Sequence, residues 1–188
     1  MKIIGITGSL ASGKTTASKI LSFGKGPLFS ADKYVKKLYK QNDFKKKIYK
    51  KFNLKKKSNV KKDLKKKILS NHSNLKKLEK IIHPLVRLEM KKFIKKNENE
   101  KFVFLEIPLL IESKLSKNFD VIIFIKSNKN VRLGRFIQKG GSAKLFDVLD
   151  SQQLSDQKKS KFCHHIILNE KNKKFLKKKL LYIFKQYE

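Results

Sequence analysis

Apolar and polar positions along this chain follow two rhythms. Five short apolar runs are rich in β-branched and aromatic residues: Lys2-Ile3-Ile4-Gly5-Ile6-Thr7, Pro27-Leu28-Phe29, Phe102-Val103-Phe104-Leu105, Val121-Ile122-Ile123-Phe124-Ile125 and Ile166-Ile167-Leu168. Such runs predict strands buried on both faces, as in a parallel sheet. Between them apolar residues recur at helical spacing. Thr15 to Phe23 predicts a helix stopped by Gly24, and Asn128 to Lys139 a second one broken at Gly140-Gly141. Ser142 to Lys161 reads as mostly helical and polar, and a terminal helix carries Leu176, Leu180, Ile183 and Phe184 on one side. Strands alternating with helices imply right-handed crossovers and a parallel sheet covered on both faces, a three-layer α/β fold.

From Lys33 to about Asn99 the strand rhythm disappears, and Leu, Ile, Tyr and Phe recur at helical spacing among lysines. This block reads as a helical insert. Leu75, Leu78, Ile81 and Ile82 share one apolar face, and Ser58 to Lys62 is its most loop-like piece. Pro84 is expected to end or restart the helix there, because its ring cannot continue the hydrogen-bond ladder. No internal repeat is visible.

Composition bounds the class. The 188 residues, 39% hydrophobic with 14 Phe, suffice for one domain with a sizeable core. No apolar run approaches the ~18 residues of a membrane helix, and the N-terminus reads as a strand rather than a leader. The single cysteine, Cys163, excludes an internal disulfide framework and a multi-cysteine zinc site. These features predict a cytoplasmic chain with no membrane partner. The formal charge is +33, which raises the question of nucleic acid. Of 48 basic residues, only Arg87, Arg132 and Arg135 are arginine, and the lysines are spread along the whole chain. Bidentate phosphate recognition favours the planar fork of Arg over the point charge of Lys. Abundant Lys, Asn, Ile and Phe with scarce Arg, Gly and Trp is the pattern of an AT-rich coding sequence. The charge therefore predicts no specific nucleic-acid partner.

Gly8-Ser9-Leu10-Ala11-Ser12-Gly13-Lys14-Thr15 fits G-x-x-x-x-G-K-[ST] between a predicted strand and a predicted helix. At this composition chance yields on the order of 0.01 such matches. The glycines let backbone N–H groups curl around an anion at a helix N-terminus. Lys14 is expected on the β- and γ-phosphates and Thr15 on Mg²⁺. A GTPase is disfavoured: Asn128-Lys129-Asn130 is followed by Val131 where a guanine-binding aspartate is needed, and no D-x-x-G segment occurs. A small kinase acting on a metabolite remains.

The chain resembles the dephospho-coenzyme A kinase family nearly end to end. The resemblance rests on the phosphate loop, Ser30-Ala31-Asp32 after the second strand and His83-Pro84-Leu85-Val86 in the insert. It continues in Ile107-Pro108-Leu109-Leu110-Ile111-Glu112 after the third strand, Arg132-Leu133-Gly134-Arg135, Gln153 and Ile166-Ile167-Leu168-Asn169. It implies a phosphate-loop, nucleotide-kinase-like fold that moves the γ-phosphate of ATP, with Mg²⁺, to the 3′-hydroxyl of dephospho-coenzyme A, the last step of coenzyme A synthesis. It divides the chain into a core of about 1–32, 101–135 and 162–188, a substrate insert of about 33–100 and a lid of about 136–161. A monomer is expected.

By this resemblance Asp32 is the catalytic base and a further magnesium contact, and Thr16 and Asn169 join Gly8 to Thr15 in binding nucleotide. His83, Pro108, Leu109 and Glu112 join Asp32 at the acceptor. A carboxylate at a strand end on the sheet edge of the phosphate loop suits proton acceptance; the competing reading of Asp32 is a cap on a helix beginning at Lys33. For His83 the competing reading is a structural histidine capping a turn. Arg135, an arginine retained in a lysine-rich chain, is expected to stabilise the transferring phosphoryl when the lid closes; a helix-surface ion pair is the alternative. Glu106 reads as a Walker-B-like magnesium ligand at a position where the family is not uniform. Glu112 stays open between substrate contact and a surface carboxylate.

The chain departs from the family at Ser9 and Ala11, where glycine is common, and at Lys139, where a second lid arginine is usual. Cys163-His164 replaces Ala-Asp and makes a poor zinc site. Residues 40–73 match only loosely. Two other functions compete: a kinase for a nucleoside monophosphate or similar metabolite, and a basic nucleic-acid-binding protein with a vestigial loop.

Overall fold

A computed structural model describes residues 1–54 and 59–188. At its centre is β1 (Lys2–Gly8), flanked by β3 (Phe102–Glu106) and β4 (Val121–Lys126), with β2 (Leu28–Ser30) and β5 (His165–Leu168) outside them. The order is β2-β3-β1-β4-β5, and every pairing is parallel. The register sets Ile6 opposite Glu106 and Ile123, and Ser30 opposite Glu106. Continuous apolar runs suit this sheet because helices cover both faces and leave no solvent side to alternate toward.

On one face, α1 (Lys14–Ser22) and α9 (Lys173–Phe184) pack Ala17, Leu21, Leu176, Leu180 and Phe184 onto Ile4, Ile6, Phe104, Ile123 and Ile125. On the other face Gly5 needs to be small: a Cβ there would lie 2.8 Å from the Phe119 ring and 2.9 Å from Leu110. Three further helices belong to this body, α6 (Lys129–Gln138), α7 (Ala143–Ser151) and α8 (Asp156–Ser160).

The chain divides into two compact units, Met1–Ser30 with Lys92–Glu188, and Ala31–Lys91. The second is helical: α2 (Ala31–Leu38), α3 (Asn42–Phe52), α4 (Val60–Ser70) and most of α5 (Ser73–Lys96). Phe44, Ile48 and Phe52 on α3 and Val60, Leu64 and Ile68 on α4 recur every four residues and are buried, as amphipathic helices require. Tyr39 packs edge-on to Phe44 with ring centroids 5.1 Å apart.

Four sequence expectations need correction. Pro84 neither ends nor restarts a helix; it lies inside the 24-residue α5. A mid-helix proline costs about 3 kcal/mol, which buried Leu75 and Leu78 before it and Met90 after it offset. His83 therefore sits within a helix and caps no turn. Of the loop expected at Ser58 to Lys62, Ser58 lies outside the described residues, and Val60 to Lys62 are instead the start of α4, whose Asn59 cap accepts from the Lys62 N–H at 3.2 Å. Asp32 is the second residue of α2, which begins at Ala31, so it is not the N-cap. The stretch from Ser142 to Lys161 is mostly helical as expected, in two pieces, because Ser155 caps a new helix by accepting from Lys158 N–H at 3.3 Å.

Candidate phosphate-binding site

The loop between β1 and α1 turns on backbone that glycine favours. Gly13 has φ +98°, and Ala11, not a glycine, has φ +58°. Gly13 is also required by space: a Cβ there would lie 2.2 Å from Nδ2 of Asn169. Three carbonyls of the loop are held by side chains. Lys14 Nζ donates to Ser9 O at 2.8 Å. Arg132 Nη1 reaches Leu10 O at 3.4 Å. Ser12 O accepts from Asn169 Nδ2 at 2.8 Å, Ser127 Oγ at 3.3 Å and Arg135 Nη1 at 3.4 Å. In a planar trans peptide the N–H opposes the C=O, so pinned carbonyls fix where the following N–H groups point. This arrangement suits an anion at the start of α1.

Thr15, the first-turn hydroxyl expected on the metal, donates to Glu106 Oε1 at 2.5 Å. Glu106 ends β3, is 1% exposed, and its Oε2 has no hydrogen-bond partner among the described residues. A buried carboxyl with one idle oxygen beside a hydroxyl is a donor set suited to a hard cation such as Mg²⁺. Thr16 stands next on α1, half-buried. Ser9, also buried, donates its hydroxyl to Asp156 Oδ1 at the start of α8.

Asn169, expected at the nucleotide, is buried and joined to the loop through Ser12. Arg135 donates to Ser127 Oγ at 3.1 Å and Asn169 O at 3.0 Å besides Ser12 O. It sits against the loop's flank and, among the described residues, forms no surface ion pair, which was its alternative reading. Pro108 and Leu109 open the turn after β3, where Pro108 O accepts from Thr7 Oγ1 at 3.1 Å. Glu112 is no surface carboxylate: its Oε1 takes Lys159 Nζ at 2.8 Å and Leu154 N–H at 3.1 Å. Lys159 is fully buried and also donates to Gln153 Oε1 at 2.9 Å. Asp32 and His83 belong to the helical unit. Asp32 is exposed and follows two residues after Ser30, the register partner of Glu106. His83 is half-buried, and burial, with Arg87 nearby, holds its pKa below the usual value.

Arg132 and Lys159 escaped the sequence reading. Arginine scarcity flags Arg132 as much as Arg135; no sequence signal separates Lys159 from the other lysines. His164, standing where the family has aspartate, accepts from Ile122 N–H through Nδ1 at 3.0 Å, which is a structural role between β5 and β4.

Residues 2–174 match the sequence model of the Dephospho-CoA kinase family. A Dephospho-CoA kinase from Bartonella henselae is 36% identical over 190 residues, covering 98% of this chain and 97% of that protein. A solved Dephospho-CoA kinase from Campylobacter jejuni has TM-score 0.62 and 28% identity, with 100% of this chain and 97% of that one covered. A Thermus thermophilus structure shares the fold at TM-score 0.78 and 23% identity, covering 98% and 97%. A phosphate loop followed by the β3 turn and the α6 arginines, matched over nearly the whole chain, has one reading: this chain belongs to the Dephospho-CoA kinase family of phosphate-loop kinases.

Proposed function

We propose that this chain transfers the γ-phosphoryl group of ATP to the 3′-hydroxyl of dephospho-CoA, giving CoA and ADP as the last step of CoA synthesis. The observation that supports the reading is the phosphate loop, whose carbonyls at Leu10 and Ser12 are tied off by side chains so that N–H groups are left for an anion. Phosphoryl transfer asks little covalent chemistry of a protein; positioning and charge neutralisation do most of the catalysis. Lys14 leaves Ser9 O for the β- and γ-phosphates when ATP enters. Residues Gly8 to Thr16 and Asn169 hold the nucleotide. Thr15 and Glu106, and by the family resemblance Asp32, would hold Mg²⁺, which when bound would neutralise charge on the β- and γ-phosphates.

Asp32 accepts the proton of the attacking hydroxyl, the role its place just beyond β2 at the carboxyl end of the sheet supports. Arg135 exchanges its carbonyl partners for the transferring phosphoryl as residues 136–161 close. The acceptor contacts we assign are Pro108, Leu109 and Glu112 in the sheet body and His83 in the helical unit. No helix among the described residues is long and apolar enough to cross a membrane. The positive field hastens capture of two anionic substrates, an effect that salt weakens. A coupled ADP-release assay with ATP, Mg²⁺ and dephospho-CoA tests the reading: native protein turns over, Lys14→Ala and Asp32→Asn lose at least 10²-fold in kcat/KM, and Arg135→Lys loses kcat more than affinity. Phosphorylation of a nucleoside monophosphate with dephospho-CoA untouched would overturn it.

A further inference from the structure

Ala11 holds a left-handed backbone, φ +58°, in the middle of the phosphate loop. An L side chain is disfavoured there, and glycine is the usual solution. Something outside the residue must impose the turn. The preceding carbonyl, Leu10 O, is 3.4 Å from Nη1 of Arg132 on α6. Arg132 is itself fixed on every side and is 6% exposed. Its Nε donates to Ser127 O at 3.1 Å, and its two Nη atoms fork onto Asp150 of α7, at 2.5 Å to Oδ1 and 3.3 Å to Oδ2. Its guanidinium carbon stands 5.5 Å from the centre of the Phe146 ring. Lysine, with one ammonium, cannot present this planar set of donors.

We propose that Arg132 and Asp150 are a positioning pair for the phosphate loop: Asp150 aims Arg132, and Arg132 fixes the peptide between Leu10 and Ala11 so that the Ala11 N–H faces the nucleotide phosphates. Neither side chain touches substrate. The carbonyl of that peptide turns toward Arg132, and its N–H opposes it. Ser12 O, held by Asn169, Ser127 and Arg135, fixes the next turn in the same way. The turn is closed by Ser12 N–H donating to Ser9 O at 3.1 Å, and the two side-chain clamps hold Ala11 left-handed at its third position, where glycine is the usual residue. Helix α7 acts on ATP binding through this chain of contacts.

The proposal rests on the phosphate loop binding ATP, and a mutant cycle separates the two claims. Removing one partner strands a buried charge, so the informative protein is Arg132→Gln with Asp150→Asn, which buries none. ATP affinity is measured by calorimetry, the KM for dephospho-CoA by turnover, and melting temperature alongside. The expectation is an ATP Kd raised at least tenfold, a dephospho-CoA KM within twofold of native, and a melting temperature within a few degrees. Adding Ala11→Gly then tightens ATP binding at least threefold more in this background than in the native one, because glycine no longer needs the clamp. Should the double variant melt much lower, the same cycle on Arg132→Lys, which keeps the charge and loses the fork, decides between the outcomes. ATP binding within twofold of native, or an equal effect of Ala11→Gly in both backgrounds, overturns the pair. A native protein that does not bind ATP overturns the loop reading as well.

Discussion

Replacing Gly13 by alanine tests the loop at its tightest point. The residue has φ +98° and ψ +18°, and an L residue in left-handed backbone costs about 1–2 kcal/mol. The new Cβ would stand 2.2 Å from Asn169 Nδ2, so Asn169 must move. It then loses its 2.8 Å bond to Ser12 O, about another 1 kcal/mol. Gly13→Ala is therefore expected to destabilise by about 2–3 kcal/mol, a fall in melting temperature of about 5–10 °C for a protein of this size. It should also weaken ATP binding, because Ser12 O loses one of its three side-chain donors. Gly134, exposed inside α6 with nothing within 4 Å of a Cβ, is the control. There the same substitution is expected to stabilise by about 0.5–1 kcal/mol, since alanine is the better helix former. Thermal and urea melts of both variants measure the contrast, and in an Asn169→Ala background Gly13→Ala should cost about 1 kcal/mol less, because the bond it breaks is already gone. A Gly13→Ala protein melting within 1 °C of native, or a Gly134→Ala protein melting lower, would refute the reasoning.

Three further expectations follow from buried groups. Glu106→Gln keeps the volume and an acceptor for Thr15 but removes the anionic oxygen; kcat should fall about 10²-fold and half-saturating Mg²⁺ should rise, read by ADP release across a Mg²⁺ titration. Burial pushes the Cys163 thiol up from 9.0 to about 11, with Lys159 opposing and Glu112 adding to the shift; at pH 8 the native thiol should react with a disulfide reagent about 100-fold more slowly than an ordinary thiol, and at full rate in urea. Burial, then Arg87, holds the pKa of His83 below 6.5, so the unfolded chain binds more protons between the two values; stability rises with pH through that window and is lost as pH falls below 6.5. His83→Gln should flatten that slope in urea melts between pH 5 and 7.

What the sequence made legible is what spacing records. The runs around Ile4, Phe104 and Ile123 announced strands because both their faces are covered, and the phosphate loop announced itself because its chemistry is local to eight residues. Helix α5 ran through Pro84 because packing on either side outweighs a missing N–H, and no local rule weighs that packing. The links around the loop and the turn after β3 join distant segments: Arg132 to Asp150, Ser9 to Asp156, Glu112 to Lys159. Nothing in residue spacing encodes such pairs, and Lys159 is hidden among 45 lysines. Rarity did carry information. Two of the three arginines, Arg132 and Arg135, lie against the phosphate loop, where the planar fork matters.

Transfer to one hydroxyl is the central claim, and the most direct measurement compares dephospho-CoA with its 3′-deoxy analogue in the presence of ATP and Mg²⁺, following ADP and the acceptor product together. CoA and ADP are expected in equal amounts from dephospho-CoA, with no phosphorylated product from the analogue. ADP released without CoA, or an analogue phosphorylated as readily as dephospho-CoA, would contradict that claim.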